Sequence, residues 1–193
     1  MSFRSKQKNE LRLHLYETSI SLFTELGFEE TSVSKICFKA GIAKGTFFNY
    51  FATKELILVH YMNAITAEGL KESRKKRLES TEQNVINVFV ALFKQARKNE
   101  VLFRAVCKIS PHHSVLREVE SQLDADITSY LAELIYDGID KGQLKASLEV
   151  DVLVPLILSA LTATANQWAL GAENIDPEYE IERRVKFLFL AAK

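Results

Sequence analysis

Lys44, Thr46, Asn49 and Tyr50, with Gly45 and Phe48 among them, bring an ammonium, a hydroxyl, an amide and a phenol into one short stretch. No acid–base pair or nucleophile is formed by these types. They are groups that address nucleic acid: an ammonium suits a phosphate or guanine O6/N7, an amide can pair with adenine, and the methyl of Thr46 suits thymine. Phe48 offers only apolar contact, and Gly45 lets a backbone come close. Groups of this kind act only if a short helix carries them out from a rigid support, and the flanking residues supply one. A first helix runs to Leu26 and stops at Gly27, where a residue without Cβ takes a left-handed C-cap. Thr31 and Ser32 offer hydroxyl caps to a second helix with Val33, Ile36, Cys37 and Ala40 on its inner side. Gly41 breaks it, Ile42 plugs the turn, and a third helix of about two turns points Phe47 and Phe51 inward at i, i+4. Helices this short are unstable alone and must pack at a fixed angle. The arrangement is a helix-turn-helix, whose last helix enters the DNA major groove with Ala43 to Phe48 nearest the base edges.

From Leu22 to Leu56 the chain also resembles the TetR family of repressors. The residues that carry the likeness are Leu22, Phe23, Gly27, Phe28, Thr31, Ser32, Val33, Ile36, Ala40, Gly41, Ile42, Lys44, Gly45, Thr46, Phe47, Phe48, Tyr50, Phe51, Lys54, Glu55 and Leu56, in a pattern without a gap. Thr18 and Ser19 stand where that family usually has two alanines, and Phe48 where tyrosine is common. The resemblance implies that Lys44, Gly45, Thr46, Phe48, Asn49 and Tyr50 touch DNA. Thr31 or Ser32, and Lys54 with the amides of its helix start, are expected to grip phosphates on either side.

The rest of the chain reads as helix after helix, with three prolines, seven glycines and no alternating Val/Ile/Thr run. Expected spans are Thr53 to about Leu78, Glu82 to about Lys98 behind a Thr81 cap, Val101 to Lys108, Ser114 to Lys141 with a stop at Gly142, Leu148 to Leu170, and Pro177 to Lys193. The fold class is therefore all-α: a three-helix DNA-binding domain at 1–53 and a helical bundle for ligand binding and dimerisation at 54–193. Net charge is zero overall, with 25 Lys/Arg against 25 Asp/Glu, and only mildly uneven along the chain. The basic run Arg74-Lys75-Lys76-Arg77 suits a solvated last turn better than a DNA contact. Cys37 and Cys107 form no CxxC, and no apolar leader is visible at the N-terminus, which fits a cytoplasmic protein. Residues 152–172 carry no charge, but Pro155, Asn166, Gln167 and their polar neighbours suit a buried helix better than a membrane span.

The resemblance implies two further sites. An effector pocket for a small hydrophobic or amphipathic molecule is expected among Phe89, Phe93, Phe103, Tyr130, Asn166 and Trp168, where plain core is the competing assignment. The last two helices are expected to pair with their twins in a homodimer, with Ala160 allowing close approach and Ile181, Val185 and Leu188 forming an apolar stripe. Adjacent His112 and His113 diverge and have no Cys or carboxylate cluster beside them, so neither a metal nor another cofactor is expected. No G-x-S-x-G, HExxH or phosphate loop points to an enzyme. The expected activity is that of a ligand-responsive repressor on a palindromic double-stranded DNA operator. The alternative is a helical interaction protein that has lost DNA binding; the retained Lys44, Gly45, Thr46 and Lys54 argue against it.

Overall fold

The computed structural model describes residues 3–112, 114–171 and 175–192. Among them the chain is all helix: α1 (Phe3–Leu26), α2 (Val33–Ala40), α3 (Lys44–Phe48), α4 (Glu55–Lys75), α5 (Thr81–Arg97), α6 (Glu100–Ile109), a 3₁₀ turn (Ser110–His112), α7 (Ser114–Asp140), α8 (Val150–Ala169) and α9 (Pro177–Ala192). The expected boundaries fall within a few residues of these, except that α4 ends three residues early and α3 is shorter than two turns. The cap of α5 is Ser80 rather than Thr81, which is the first residue of the helix. In α3 the hydrogen-bonded ladder continues past Phe48, because the Phe51 N–H still donates to the Phe47 carbonyl at 2.9 Å.

The first three helices close around Leu15, Leu22, Phe23, Phe28, Ile36, Phe47 and Phe51, all buried. Fully burying one phenylalanine contributes about 1.5–3 kcal/mol, so Phe47 and Phe51 alone fix much of the angle between α3 and its support. Gly27 (φ +87°) and Gly41 (φ +69°) hold the left-handed conformations that end α1 and α2. Ser19, at a position where the family usually has alanine, is fully buried and donates its hydroxyl to the Leu15 carbonyl at 2.7 Å, so its polarity costs little there.

Helix α4 connects this unit to the bundle. Its first turns bury Ile57, Leu58 and Tyr61, and farther on Gly69 lies against α5, where a Cβ would stand 3.2 Å from the Leu92 Cα. The basic run at its end is exposed, and two of its arginines are engaged. Arg74 lies 3.9 Å over the Tyr130 ring and pairs with Glu133 of α7, and Arg77 pairs with Glu133 and Asp137. In the bundle α5 meets α4, α7 and α9, while α8 lies against α6, α7 and α9. α8 is long and apolar enough, by length and composition, to cross a membrane. Here its hydroxyls are turned back on the helix: Ser159 donates to Pro155 O, Thr162 to Leu158 O and Thr164 to Ala160 O.

Candidate nucleic-acid interface and effector cavity

The α2–turn–α3 unit presents Ser32, Lys44, Gly45, Phe48 and Asn49 to solvent, with Thr46 and Tyr50 half-buried. Ser32 is the N-cap of α2, its Oγ accepting the Lys35 N–H at 3.2 Å. Lys44 opens α3, and among the described residues no hydrogen bond or ion pair engages its ammonium. The cations of α2 are by contrast occupied, Lys35 by the Glu30 carbonyl and Lys39 by Glu25 and Ser21. Asn49 caps the C-terminus of α3 with its side chain exposed. Tyr50 sits in a shallow groove with Gln7, Leu11 and His14 of α1.

Two expected phosphate contacts are corrected. Thr31 is 0 % exposed, and its hydroxyl is turned inward to the carbonyls of Gly27 at 2.7 Å and Leu22 at 3.2 Å. It ties the α1–α2 loop and cannot reach a phosphate as placed. The Lys54 ammonium is likewise spent internally, donating to Phe28 O at 2.8 Å and Thr31 O at 3.2 Å while lying 4.2 Å above the Phe28 ring. One exposed residue has no counterpart among the sequence expectations. Phe38 on α2 is 91 % exposed, and since the pattern there marks only inner positions, nothing in the spacing singles it out.

Contacts from two residues, His60 and Asn99, help join this unit to the bundle. Arg12 of α1 donates to His60 Nε2 of α4 at 2.7 Å, and the His60 ring meets Phe51 edge-on. Burial, and then the neighbouring Arg12 charge, lower the His60 pKa below its ordinary value, so the imidazole is held neutral as an acceptor. Asn99 is the N-cap of α6: its Oδ1 accepts Leu102 N–H, its Nδ2 donates to Thr24 of α1, and its carbonyl accepts the Tyr61 hydroxyl of α4. α1, α4 and α6 thus meet at one residue.

A cavity of about 180 Å³ lies beyond this junction, walled by Met62, Ile65 and Thr66 of α4, Leu92, Phe93 and Ala96 of α5, Phe103 and Cys107 of α6, Leu123, Asp124 and Ile127 of α7, and Leu161, Thr162, Ala165 and Asn166 of α8, with Pro111 beside them. Of the expected pocket residues, Phe93, Phe103 and Asn166 line it. Trp168 stands one layer out, its ring centre 5.9 Å from Phe93 and 5.3 Å from Phe103, with Arg97 above it. Phe89 and Tyr130 are corrected to core: both are buried and neither reaches the cavity wall. His112 is exposed at the 3₁₀ turn, and His113 lies outside the described residues.

The expected dimer stripe is also partly corrected. Ile181 and Val185 are 0 % exposed because that face of α9 packs on α5 and α8 within the chain. The outward face instead carries Phe187 and Leu190, each 73 % exposed, which with Leu156, Ala160 and half-buried Leu188 line an apolar groove between α8 and α9.

Residues 15–61 match the sequence profile described as bacterial regulatory proteins, tetR family. The chain is 22% identical over 174 residues to the fatty acid metabolism regulator protein of Bacillus subtilis, across 89% of this chain and 90% of that one. FadR of Thermus thermophilus, a TetR-family transcriptional repressor solved in complex with lauroyl-CoA, has the same fold at a TM-score of 0.71 and 21% identity, over 92% and 93% of the two chains. The Bacillus subtilis regulator FadR in complex with stearoyl-CoA superposes with a TM-score of 0.72 at 19% identity, over 91% and 96%. Residues 15–61 thus carry the helix-turn-helix of the tetR family of bacterial regulatory proteins, and the chain as a whole shares the helical architecture of the TetR-family regulators it resembles.

Proposed function

We propose that this regulator is a dimeric, cytoplasmic repressor that leaves a palindromic operator when an amphipathic molecule enters the α4–α8 cavity. Residues 1–53 serve as the DNA-binding domain and 54–193 as the effector and dimer domain. The observation that carries the reading is the continuity of α4. One continuous helix meets Arg12 and Phe51 of the DNA-binding unit through His60 and gives Met62, Ile65 and Thr66 to the cavity wall. A ligand that binds better when α4 is displaced favours the state in which the two α3 helices no longer fit successive major grooves. The lauroyl-CoA and stearoyl-CoA relatives support an apolar chain as part of the effector. At about 180 Å³ the empty cavity is close to one that admits benzene, about 150 Å³, so a longer chain has to part the helices.

The outward groove between α8 and α9 is the dimer face in this reading, since paired half-sites about 34–36 Å apart need a two-fold protein. The test combines operator selection from a randomised duplex pool with sedimentation. The wild-type chain should select a palindrome and sediment as a dimer, with affinity falling steeply as salt rises. Phe187→Glu should remain folded and sediment as a monomer that binds the palindrome weakly. Selection of no duplex, or a Phe187→Glu chain that is still dimeric, would sink the corresponding half of the proposal.

A further inference from the structure

The cavity is not uniformly apolar, and among the described residues only one of its polar groups carries charge. Asp124 of α7 contributes the single charge among the described residues that line it; no Lys, Arg or His is among them. The two arginines on its flank are already engaged, Arg97 with Asp176 and Glu178, and Arg104 with Glu100 and the Ala169 carbonyl. Thr66 of α4 is only 5 % exposed and, among the described residues, makes no side-chain hydrogen bond. Asn166 on α8 is exposed at the mouth of the cavity and, among the described residues, makes no side-chain hydrogen bond, whereas the Thr162 hydroxyl is satisfied by Leu158 O. Three helices thus bring oxygen acceptors with no protein partner among the described residues to one space: a carboxylate, a hydroxyl and an amide carbonyl, the last two also able to donate.

A half-buried carboxylate with no cation beside it is costly, and a buried polar group without a partner adds a further penalty. Burial alone pushes the Asp124 carboxyl above the ordinary carboxylate range. A second anion brought into the same space would meet repulsion and no counter-charge. A cation would be attracted, and a primary ammonium carries three N–H donors for the three acceptors. The rings of Phe93 and Phe103, which also line the space, favour a cation near their faces. The remaining wall, from Ile65 and Leu92 to Ile127 and Leu161, receives an alkyl or aryl body.

We infer that the effector of this regulator is an amphipathic amine, its ammonium held by Asp124 with Thr66 and Asn166 and its apolar body against Leu92, Phe93 and Phe103. The inference rests on the effector reading above and departs from the acyl-CoA relatives at the polar end of the ligand. It concerns what lies inside the cavity, where a coenzyme A diphosphate would find no cation among the described lining residues.

The experiment compares four probes on the full-length chain: octylamine, octanol, octanoate and lauroyl-CoA. Binding is read by the emission of Trp168, the chain's single tryptophan, which lies against Phe93 and Phe103. Release of the selected operator duplex is read in parallel. Octylamine should bind at least about tenfold more tightly than octanol, and octanoate should be the weakest of the three, as one close charge pair predicts. Asp124→Asn should remove the preference for amine over alcohol, and Asp124→Glu should keep it. The wild-type probe series decides the matter even where a variant fails to fold. Tighter binding of octanoate or lauroyl-CoA than of octylamine overturns the inference, as does an amine preference that survives Asp124→Asn, or no response to any probe. Operator release by lauroyl-CoA alone would overturn the amine while leaving the effector reading intact. Failure to bind any operator duplex would instead strike the proposed function, independently of what the cavity holds.

Discussion

Lys54→Met separates an internal clip from a DNA contact. The side-chain stem is retained and the ammonium removed, leaving the Phe28 and Thr31 carbonyls without the donor that now reaches them at 2.8 and 3.2 Å. A hydrogen bond to a charged group contributes about 1.5–3 kcal/mol, and half-burial of Lys54 argues for counting one such bond at full strength. The Phe28 ring beneath the ammonium adds about 0.5–1 kcal/mol. The expected loss is therefore about 2–4 kcal/mol, or roughly 4–16 °C in Tm for a chain of this size. Thermal unfolding followed by far-UV circular dichroism measures it, alongside operator affinity over a salt series. Lys54→Met should lower Tm and leave the slope of log affinity against log salt unchanged. Lys44→Met should do the reverse, leaving Tm unmoved and flattening the slope by about 0.9 for each phosphate that Lys44 neutralises. A Lys54→Met chain with wild-type Tm and a flattened slope would refute the clip and return Lys54 to the phosphate backbone.

Two other outcomes are expected. Gly138→Ala should destabilise despite the better helix propensity of alanine, because its Cβ would collide with Thr81 Oγ1 and stand 2.9 Å from Thr81 Cγ2, where Thr81 is already fixed by Gln143 at 2.8 Å. Overpacking of about 1–3 kcal/mol against about 1 kcal/mol of propensity gives a net loss, measured by chemical denaturation, and a chain more stable than wild type would contradict it. His60 has a folded-state pKa lowered below its ordinary 6.5, so the unfolded chain binds the extra proton first. Its contribution to stability is present above that value and is lost as pH falls from there through the lowered folded value. His60→Gln should flatten the fall in Tm over that interval, and an unchanged profile would show that the Arg12 contact does not titrate.

What was legible in the sequence was punctuation. Gly27, Gly41, Gly142 and the Ser32 cap fixed helix ends because each acts locally, through a left-handed φ or a hydroxyl near a free N–H. What was not legible depends on which way a side chain turns. Thr31 and Ser32 are adjacent hydroxyls of similar capping ability, yet one bonds the loop behind it and the other caps α2. Along α9 apolar residues occur on two faces, and spacing alone could not tell that Ile181 and Val185 meet α5 and α8 while Phe187 and Leu190 do not. The cavity was the hardest to foresee. A void is set by where helices fail to touch, so large aromatics such as Phe89 and Tyr130 were poor guides, and Asp124 and Thr66 carried no sequence signal at all.

The close approach at Gly69 gives α4 the mechanics of an oar in its rowlock. With Leu92 of α5 close against its backbone there, this is the point about which α4 would turn in the proposed release. In the proposed release an effector would press near Thr66, three residues from that point, and Glu55 lies fourteen residues from it on the same arm. At 1.5 Å of rise per residue the arms are roughly 4.5 and 21 Å, so a displacement of about 0.5 Å at the cavity becomes roughly 2 Å where α4 meets the DNA-binding unit. The gain follows from the placement of one glycine and the straightness of one helix.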